Sequence, residues 1–379
     1  MKLLILDQFS DPGGAQQGLI ELLPAFRERG WDAVVAMPGT GRLFNDVREL
    51  GFRAETIECG PYASGRKTVG DLARFVRDTP SLARHIARLA AGAEVVYVNG
   101  PRLLPAAALA KVVAPVVFHA HSFLGPGPLR TLAGRSLRRT NASVIANCEF
   151  VAAHWREYVD ELRVIYNGVG NAPRHRTADG PPRVACLGRI APEKGHLEFL
   201  AAAARIHAAL PDCRFTVYGA PLFSEPGVER YAREVRTRAE GLPVDFAGWV
   251  DDPAAALAQT DLLLVPSTAV EATTRVILEA FAAGTPVIAF ANGGIPEVVD
   301  DGRTGRLVRS ADEMALAAIE LLGDPARRTA MSAAARQSWE QRFTLERYRA
   351  EVIEALETAR RRPAPAAPLR SNRGRTRIA

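Results

Sequence analysis

The sequence predicts an α/β protein of two domains, each built on a parallel sheet covered by helices on both faces. Short β-branched apolar runs alternate with longer amphipathic stretches along most of the chain, a pattern typical of parallel sheets. A length of 379 residues favours two domains. The polar segment RHRTADGPPR, residues 174–183, separates two halves of similar size and reads as a linker.

The elements follow from these runs. Strands are predicted at Leu3–Leu6, Ala33–Ala36, Val95–Val98, Val116–Phe118, Val144–Ala146, Val184–Leu187, Arg214–Tyr218, Leu262–Val265 and Pro286–Ala289. Helices are predicted at Gln16–Arg29, Leu82–Leu89, Leu197–Ala209, Thr274–Ala283 and Ala311–Leu322, with one or two more within residues 325–358. We therefore expect an N-terminal domain over 1–173, a linker over 174–183 and a second domain over 184–343. A helix at about 344–358 is expected to pack back on the first domain.

Composition excludes several classes of protein. A chain with 47% hydrophobic and 24% charged residues is typical of globular proteins with an ample core. The longest mostly apolar stretch, 103–120, is interrupted by two prolines and a lysine, which favours a buried helix and strand over a membrane span. Four scattered cysteines without a C-x-x-C pair argue against a disulfide framework or a zinc site. Because the start MKLLILD lacks the order of a signal peptide, we expect a cytoplasmic protein.

The positive charge belongs to the end of the chain. Residues 360–379 contain seven arginines and no acid, so the net charge of +6 leaves the first 359 residues near −1. This basic, proline-containing tail is predicted to be disordered. It is either a solvated end or a segment attracted to anionic lipid. No aromatic residue is interleaved with the arginines, and we expect no nucleic-acid partner.

Glycines and charges cluster where predicted strands end, which is where ligands of such sheets bind. After the first strand, Gly13 and Gly14 expose backbone N–H groups to an anion or a sugar, although a tight turn without a ligand has the same pattern. After the strand at 184–187, Gly188 permits a turn that brings Arg189 and Lys194 together beside a helix start. Two cations and free amides form a suitable diphosphate site.

The segment after the strand at 262–265 carries the strongest signal. Glu271 and Glu279 are eight residues apart, so they would share one face if the helical turn extends back to Glu271. A buried carboxylate on an apolar helix needs a partner, and a hydroxyl-rich ligand can supply one, because a carboxylate accepts two hydrogen bonds from a vicinal diol. Gly293 and Gly294, after the next strand, leave backbone groups accessible because they have no side chains. The pattern favours a binding site for a hydroxyl-rich ligand over a solvated helix face.

Two other nucleotide-binding classes do not fit. A dinucleotide-dependent oxidoreductase needs G-x-G-x-x-G, and each of the three G-x-G segments lacks the final glycine. A P-loop NTPase needs G-x-x-x-x-G-K-[ST], which does not occur.

From Met1 to about Phe343, and most densely from Val184 to Val308, the chain resembles the retaining glycosyltransferases of family 4, which have the GT-B fold. Residues 188–195 match the family motif G-R-x-x-x-x-K-G, and Glu271 and Glu279 match its E-x7-E motif. The sequence EAFAAGTPV, which begins at Glu279, matches the run E-A-x-A-x-G-x-P-V that follows E-x7-E in the family. GGIPEVV, GRTG and Asn-Gly-Val at 167–169 match further family patterns. The resemblance implies two Rossmann-like β/α/β domains facing a central cleft.

The resemblance also implies roles for residues. Arg189 and Lys194 would hold the donor diphosphate, Glu279 would bind the ribose, and Glu271 would orient the donor sugar. Further donor contacts would come from the residues Gly13, Gly14, Gly188, Val250, Thr274, Arg275 and Val276. His121 matches a histidine beside the transferred sugar, although His119 is two residues earlier and the assignment between them stays open.

The implied reaction is retaining transfer of a sugar from a nucleotide-diphosphate sugar to a hydroxyl of a glycan or glycolipid. We expect no cofactor and no metal, because no D-x-D follows a strand and Asp251-Asp252 reads as a helix cap before a proline. UDP or GDP is the favoured nucleotide. Two residues depart from the family pattern. Gln16 replaces a common Glu, which removes a charge facing the acceptor, and Thr273-Thr274 replace a common Phe-Gly, which leaves the identity of the sugar open.

The acceptor is less determined. Basic helical faces of the first domain either are solvated or rest on an anionic membrane next to a lipid-linked acceptor. These faces contain Arg66, Lys67, Arg74, Arg77, Arg84, Arg88, Arg130, Arg135, Arg138 and Arg139. We expect a peripheral protein at the inner face of the membrane that acts in polysaccharide or glycolipid synthesis. The alternatives are an epimerase or phosphorylase of the same fold, or an inactive homologue that binds a partner.

Overall fold

The computed structural model describes residues 1–11, 13–59, 69–173, 180–221 and 226–362. Some predicted features therefore lie outside the described residues, namely 174–179 of the expected linker, Arg66 and Lys67 of the basic faces, and 363–379 of the expected tail.

Two parallel sheets form the protein, as the sequence predicts. In the first, the order of the strands is β3-β2-β1-β4-β5-β6-β7, and every pair is parallel. Its strands are β1 Lys2–Asp7, β2 Asp32–Met37, β3 Arg53–Thr56, β4 Val95–Asn99, β5 Val116–Ala120, β6 Ser143–Ala146 and β7 Leu162–Val164.

The second sheet has the order β10-β9-β8-β11-β12-β13 and is also parallel throughout. Its strands are β8 Arg183–Leu187, β9 Arg214–Tyr218, β10 Val244–Gly248, β11 Leu262–Val265, β12 Val287–Phe290 and β13 Gly305–Val308.

Helices cover both faces of each sheet. They are α1 Gly14–Glu28, α2 Arg42–Glu49, α3 Val69–Leu89, α4 Leu104–Ala110, α5 Pro128–Thr140, α6 Glu149–Ala152, α7 His196–Ala209, α8 Pro226–Arg238, α9 Pro253–Leu257, α10 Arg275–Ala283, α11 Ile295–Val298, α12 Ala311–Leu322, α13 Pro325–Arg342 and α14 Leu345–Arg360.

Alternating side chains of each strand fill two hydrophobic cores. On β1, Leu4 and Leu6 belong to one core and Leu3 and Ile5 to the other, across the sheet. The same alternation divides β11 of the second sheet between its two faces. Strands buried on both sides explain the continuous apolar runs in the sequence.

The last helix returns to the first domain. Tyr348, Val352 and Leu356 of α14 are fully buried in the core that α1 and the first sheet also form. The segment that leads into α14 runs beside the segment that leaves the first domain, because the N–H of Val169 donates to the carbonyl of Phe343 at 3.0 Å. The chain thus passes between the domains twice at neighbouring positions.

The structure adds strands and shifts some bounds. The sequence did not predict β3, β7, β10 or β13, all of which lie at the edges of their sheets. α3 begins at Val69 rather than Leu82, and β12 begins at Val287, since a proline at 286 has no N–H for the sheet. Among the residues that the structure describes, no helix has both the length and the apolar character to cross a bilayer.

Candidate active site

The carboxyl ends of both sheets face a cleft of about 1650 Å³ between the domains. Such clefts are the usual ligand sites of open α/β sheets. Every predicted site residue lines it, from the first domain Gly13, Gly14 and His121, and from the second Gly188, Arg189, Lys194, Val250, Glu271, Thr274, Arg275, Val276 and Glu279.

The loop after β8 presents two cations to the cleft. Gly188 has a φ of 155°, and Gly195, just before α7, has a φ of 72°. A Cβ on Gly195 would lie 1.9 Å from the carbonyl oxygen of Pro266, so the loop approaches the end of β11 only because this residue has no side chain. The Arg189 guanidinium donates to Glu193 at 3.0 Å, and the Lys194 ammonium donates to Glu271 at 2.5 Å.

Glu271 and Glu279 both line the cleft, but one lies in a loop and the other on a helix. α10 begins at Arg275, so Glu271 lies in a non-helical loop and only Glu279 is on the helix. The expectation that both carboxylates share one helical face is therefore wrong. The cause is the loop after β12, where a Cβ on Gly293 would lie 1.9 Å from the carbonyl oxygen of Glu271 and the N–H of Gly294 donates to that oxygen at 2.9 Å.

Glu279 is a buried carboxylate on an apolar helix. Burial raises its pKa above the ordinary value, and the nearby Arg275 guanidinium opposes that rise. The Arg275 Nε lies 3.6 Å from Glu279, while its terminal nitrogens donate to Glu21 of α1 at 2.8 and 3.0 Å. Arg275, which the resemblance places among the donor contacts, thus holds two carboxylates from opposite domains.

The N-terminus of α10 also faces the cleft. Thr274 is the N-cap residue, but its side chain caps no backbone N–H, and its hydroxyl is buried without a hydrogen-bond partner in the described structure. The first N–H groups of a helix have no acceptor within the helix. Those of Arg275 and Val276 therefore remain for an anion, whose charge the helix dipole favours.

Val250 lies after β10, at the wall of the cleft nearest α9. The Asp252 side chain accepts from the N–H of Ala255 at 3.0 Å, which confirms the predicted helix cap. Asp251 forms a loose pair, 3.7 Å, with Arg42 of the first domain.

The glycine loop of the first domain forms the opposite wall. Gly13 precedes α1 in extended backbone, and a Cβ there would lie 2.8 Å from the side-chain oxygen of Gln16. A Cβ on Gly14 would lie in ordinary contact distance, 3.6 Å, of the Cδ of Arg275. The start of α1 therefore lies directly beside Arg275 of the second domain.

The two candidate histidines have different surroundings. His119 is fully buried on β5 and bonds the hydroxyl of Tyr97, whereas His121 is partly exposed just beyond β5. Their rings are 3.8 Å apart between centroids. Burial, followed by the charge of Arg275, lowers the pKa of His121 to about 3, so its ring is neutral at ordinary pH.

Sequence reasoning missed two polar residues behind His121. Asp7 ends β1 and Asn99 ends the neighbouring β4, and the amide of Asn99 joins the Asp7 carboxylate to the His121 ring at 2.5 and 2.6 Å. In the sequence, each of these two residues is the single polar residue at the end of an apolar run, LLILD for Asp7 and VVYVN for Asn99. This pattern could have indicated them.

A second contact between domains lies beside the cleft. The Glu297 carboxylate accepts from the backbone N–H groups of Glu149 and Phe150, both at 2.7 Å, and from the hydroxyl of Tyr166 at 2.8 Å. Glu297 of α11 therefore caps α6 of the first domain. Over the described ranges, no three His, Cys, Asp or Glu side chains are grouped so that they could hold a metal ion.

Comparison with protein families assigns both halves of the chain. Residues 12–170 match the model described as Glycosyltransferase Family 4, and residues 181–324 match the model described as Glycosyl transferases group 1.

Two curated relatives illustrate the range of similarity. A GDP-mannose-dependent monoacylated alpha-(1-6)-phosphatidylinositol monomannoside mannosyltransferase of Corynebacterium glutamicum is 35% identical over 178 residues, 44% of this chain and 45% of that protein. The chain thus spans less than half the length of this relative. A phosphatidyl-myo-inositol mannosyltransferase of Mycolicibacterium smegmatis is 29% identical over 339 residues, 83% of each chain.

Solved structures show the same architecture. The crystal structure of Anabaena HepE with UDP and glucose matches 94% of this chain and 100% of its own, with a TM-score of 0.80 and 26% identity. A sucrose-phosphate synthase of Thermosynechococcus elongatus, 22% identical with a TM-score of 0.74, shares the fold. These similarities confirm the predicted GT-B fold.

Proposed function

The chain belongs to the group 1 glycosyltransferases of family 4, and from that premise we propose that it is a metal-independent, retaining enzyme that moves a sugar from a nucleotide-diphosphate sugar to a hydroxyl of a glycan or glycolipid. The observation that carries the proposal is the convergence of Arg189, Lys194 and the free N–H groups of α10 on one cleft opposite the Gly13–Gly14 loop.

The donor diphosphate would replace weak contacts that Arg189 makes within the protein. Arg189 and its partner Glu193 are 33% and 39% exposed, and such pairs contribute about 0–1 kcal/mol. A diphosphate carries more charge than one carboxylate and also accepts from the N–H groups of α10. Arg189 therefore exchanges the Glu193 carboxylate for phosphate at little cost, while the stronger charge of the diphosphate competes with Glu271 for the less exposed Lys194.

The ribose of the donor supplies hydrogen bonds to the buried carboxylate of Glu279. In the part of the chain that the structure describes, one cation, Arg275 at 3.6 Å, offsets the loss of hydration of Glu279. Two ribose hydroxyls donate to its oxygens and supply the hydrogen bonds that burial requires. Glu271, released from Lys194, and His121 on the opposite wall then orient the donor sugar.

The reaction proposed is a front-face displacement. The bond from the anomeric carbon to the diphosphate oxygen breaks as the acceptor oxygen bonds the same face of that carbon. The acceptor proton passes to the departing phosphate oxygen, so no protein base is needed. Arg189, Lys194 and the α10 dipole stabilise the developing charge, and the cleft holds both reactants in place.

The acceptor side offers a surface for an anionic membrane. Helices α3, α4 and α5 pack side by side. These helices and the loop after α4 carry exposed arginines and the exposed apolar residues Leu72, Val76, Leu109, Val113, Leu129 and Leu132. Such a face binds lipid by apolar insertion and by attraction to anionic headgroups. The names of two relatives, a phosphatidylinositol monomannoside mannosyltransferase and a phosphatidyl-myo-inositol mannosyltransferase, agree with a glycolipid acceptor.

The membrane surface is tested by sedimentation with vesicles of phosphatidylglycerol and phosphatidylcholine. The variant Leu72→Ser/Val76→Ser is expected to bind less. Leu316 of α12 is more exposed than either residue, and Leu316→Ser is expected to bind like wild type. If the wild type does not pellet, the membrane proposal is abandoned.

The donor site is tested by calorimetric titration with UDP, GDP, ADP and dTDP in EDTA. One nucleotide is expected to bind, and Glu279→Ala and Arg189→Ala are each expected to weaken it by about ten- to a hundredfold. Arg205→Ala removes an exposed arginine of α7 outside the cleft and is the control. NMR of the product then reports whether the anomeric configuration is retained.

If no nucleotide binds, with or without Mg²⁺, the donor site is wrong and a partner-binding homologue becomes the better reading. Nucleotide binding without transfer to any hydroxyl, but with epimerised or phosphorolysed sugar, would favour those reactions instead.

A further inference from the structure

The first sheet places three polar side chains in a row behind the cleft. β1, β4 and β5 are neighbours, and Asp7 stands opposite Asn99 in the register of β1 and β4. His121 follows the end of β5, the next strand along. Parallel strands bring their carboxyl ends to the same edge, so the three side chains meet there.

The hydrogen bonds of this row have a defined direction. An ionised carboxylate only accepts, so the amide nitrogen of Asn99 faces Asp7, at 2.5 Å from Oδ2. The other oxygen, Oδ1, accepts from the side chain of Gln16 at 2.8 Å and from the N–H of Phe9 at 2.9 Å. The Asn99 oxygen is then left facing Nε2 of His121 at 2.6 Å, and that nitrogen must carry the proton.

The surroundings hold the His121 ring in this arrangement. The side chain of Asn147, just beyond β6, donates to the backbone carbonyl of His121 at 3.0 Å. The ring of His119 stacks against it with an interplanar angle of 31°. Because burial and then Arg275 keep the pKa of His121 near 3, the ring is neutral and its second nitrogen, Nδ1, carries a lone pair.

We propose that Asp7, acting through the amide of Asn99, fixes His121 as the Nε2–H tautomer, so that its Nδ1 accepts a hydrogen bond from a hydroxyl of the transferred sugar. Asp7 and Asn99 are positioning residues, and His121 is the group that touches the sugar. The tautomer follows from the described geometry alone, whereas the sugar contact rests on the proposed function.

The row makes a distinctive prediction for Asp7→Asn. Gln16 and the N–H of Phe9 still require an oxygen at the Oδ1 position, so the new amide nitrogen faces Asn99. Asn99 then turns its oxygen toward residue 7 and its nitrogen toward His121. That nitrogen donates to Nε2, which drives the proton of His121 to Nδ1.

A second substitution reverses the effect. In Asp7→Asn/Asn99→Asp, the carboxylate at 99 accepts from both neighbours, so Nε2 of His121 again carries the proton. The double variant exchanges the acid and the amide without changing the number of side-chain atoms in the row. A role limited to packing would not distinguish the single variant from the double variant in this way.

The experiment is long-range ¹H–¹⁵N NMR of protein labelled at its seven histidines, at pH 8. The His121 signals are assigned by their loss in His121→Gln. We expect Nε2–H in the wild type, Nδ1–H in Asp7→Asn and Nε2–H in the double variant. An Nδ1–H wild type, or an unchanged tautomer in Asp7→Asn, would overturn the proposal.

Activity provides the second readout. Asp7→Asn is expected to lower kcat about tenfold with the nucleotide dissociation constant unchanged, and the double variant to recover most of the loss. If Asp7→Asn does not fold, Asn99→Ala separates His121 from Asp7 and is expected to lower kcat similarly. Unaltered kcat in these variants would overturn the sugar contact. If the wild type transfers no sugar, the proposed function fails, while the NMR result still decides the tautomer.

Discussion

Arg275, the first residue of α10, donates two hydrogen bonds to Glu21 of α1 and so connects the two domains across the cleft. Both side chains are largely buried, at 13% and 16% exposure, and Glu279 lies on the other side of the guanidinium. One cation therefore compensates a carboxylate from each domain.

Removing this cation should destabilise the protein. Arg275→Ala leaves two largely buried carboxylates uncompensated, and we expect a loss of about 3–5 kcal/mol in the free energy of unfolding. Urea denaturation measures it. Arg205→Ala, whose pair with Asp312 is about 60% exposed, is the control and should change stability by less than about 1 kcal/mol. Equal effects of the two variants would contradict the assignment.

Asp7 should make stability depend on pH. Burial raises its pKa from 3.8 to about 6 against the hydrogen bonds from Asn99, Phe9 and Gln16. The folded state therefore binds a proton between pH 4 and 6 that the unfolded state has released, and stability falls as pH rises through that window. A shift of about 2 units corresponds to about 3 kcal/mol.

Asp7→Asn removes this dependence. Relative to the wild type, its free energy of unfolding should increase by up to about 3 kcal/mol between pH 4 and pH 7. Urea denaturation of both proteins at several pH values gives the difference, in which the other titrating groups cancel. A difference that stays constant with pH would show that Asp7 keeps an ordinary pKa.

The turn before α7 should not tolerate a side chain. Gly195→Ala adds a Cβ 1.9 Å from the carbonyl oxygen of Pro266 at a φ of 72°. The loop must move, so we expect lower stability by more than about 2 kcal/mol and weaker nucleotide binding, because Lys194 moves with it. Gly227→Ala, where the new Cβ meets no atom within 4 Å on α8, should be neutral or stabilising by up to about 1 kcal/mol. Thermal unfolding compares them.

The Glu297 contact should contribute to the cohesion of the domains. Glu297→Ala removes acceptors from the N–H groups of Glu149 and Phe150 and from the hydroxyl of Tyr166. Loss of a helix cap costs about 1–2 kcal/mol, and amide hydrogen exchange should increase at residues 149–152. Exchange that increases equally throughout the second sheet would instead indicate a general loss of stability.

The sequence predicted buried elements well and edge elements poorly. β1 and β4 are apolar on both faces, so each can be recognised as a strand from its continuous apolar sequence. β3 and β10 are edge strands whose side chains are mostly half-buried or exposed, RAET and VDFAG, and whose sequences have no continuous apolar run. Their strand conformation depends on pairing with β2 and β9, which single-sequence reasoning does not provide.

In the site as well, residues in local motifs were predicted, whereas contacts between residues far apart in the sequence were not. Lys194 and Glu279 were predicted from local motifs, and both line the cleft. The pairing of Glu21 with Arg275 spans 254 residues, and Asp7 and Asn99 are 92 residues apart. Contacts of this kind are created by strand order and domain arrangement, and no local spacing encodes them. The sequence shows that Asp7, Asn99, Glu21 and Arg275 are polar, but it does not show which of them contact one another.

The return of α14 to the first domain has a consequence for synthesis on the ribosome. Tyr348, Val352 and Leu356 are fully buried between α1 and the first sheet, so the first domain lacks part of its core until residues 345–360 emerge from the exit tunnel. The second domain, complete by about residue 343, can fold earlier than the domain that precedes it in the chain. Nascent chains arrested before α14 should therefore expose the apolar surface of the first domain to chaperones, because that domain is completed only after the second one has been synthesised.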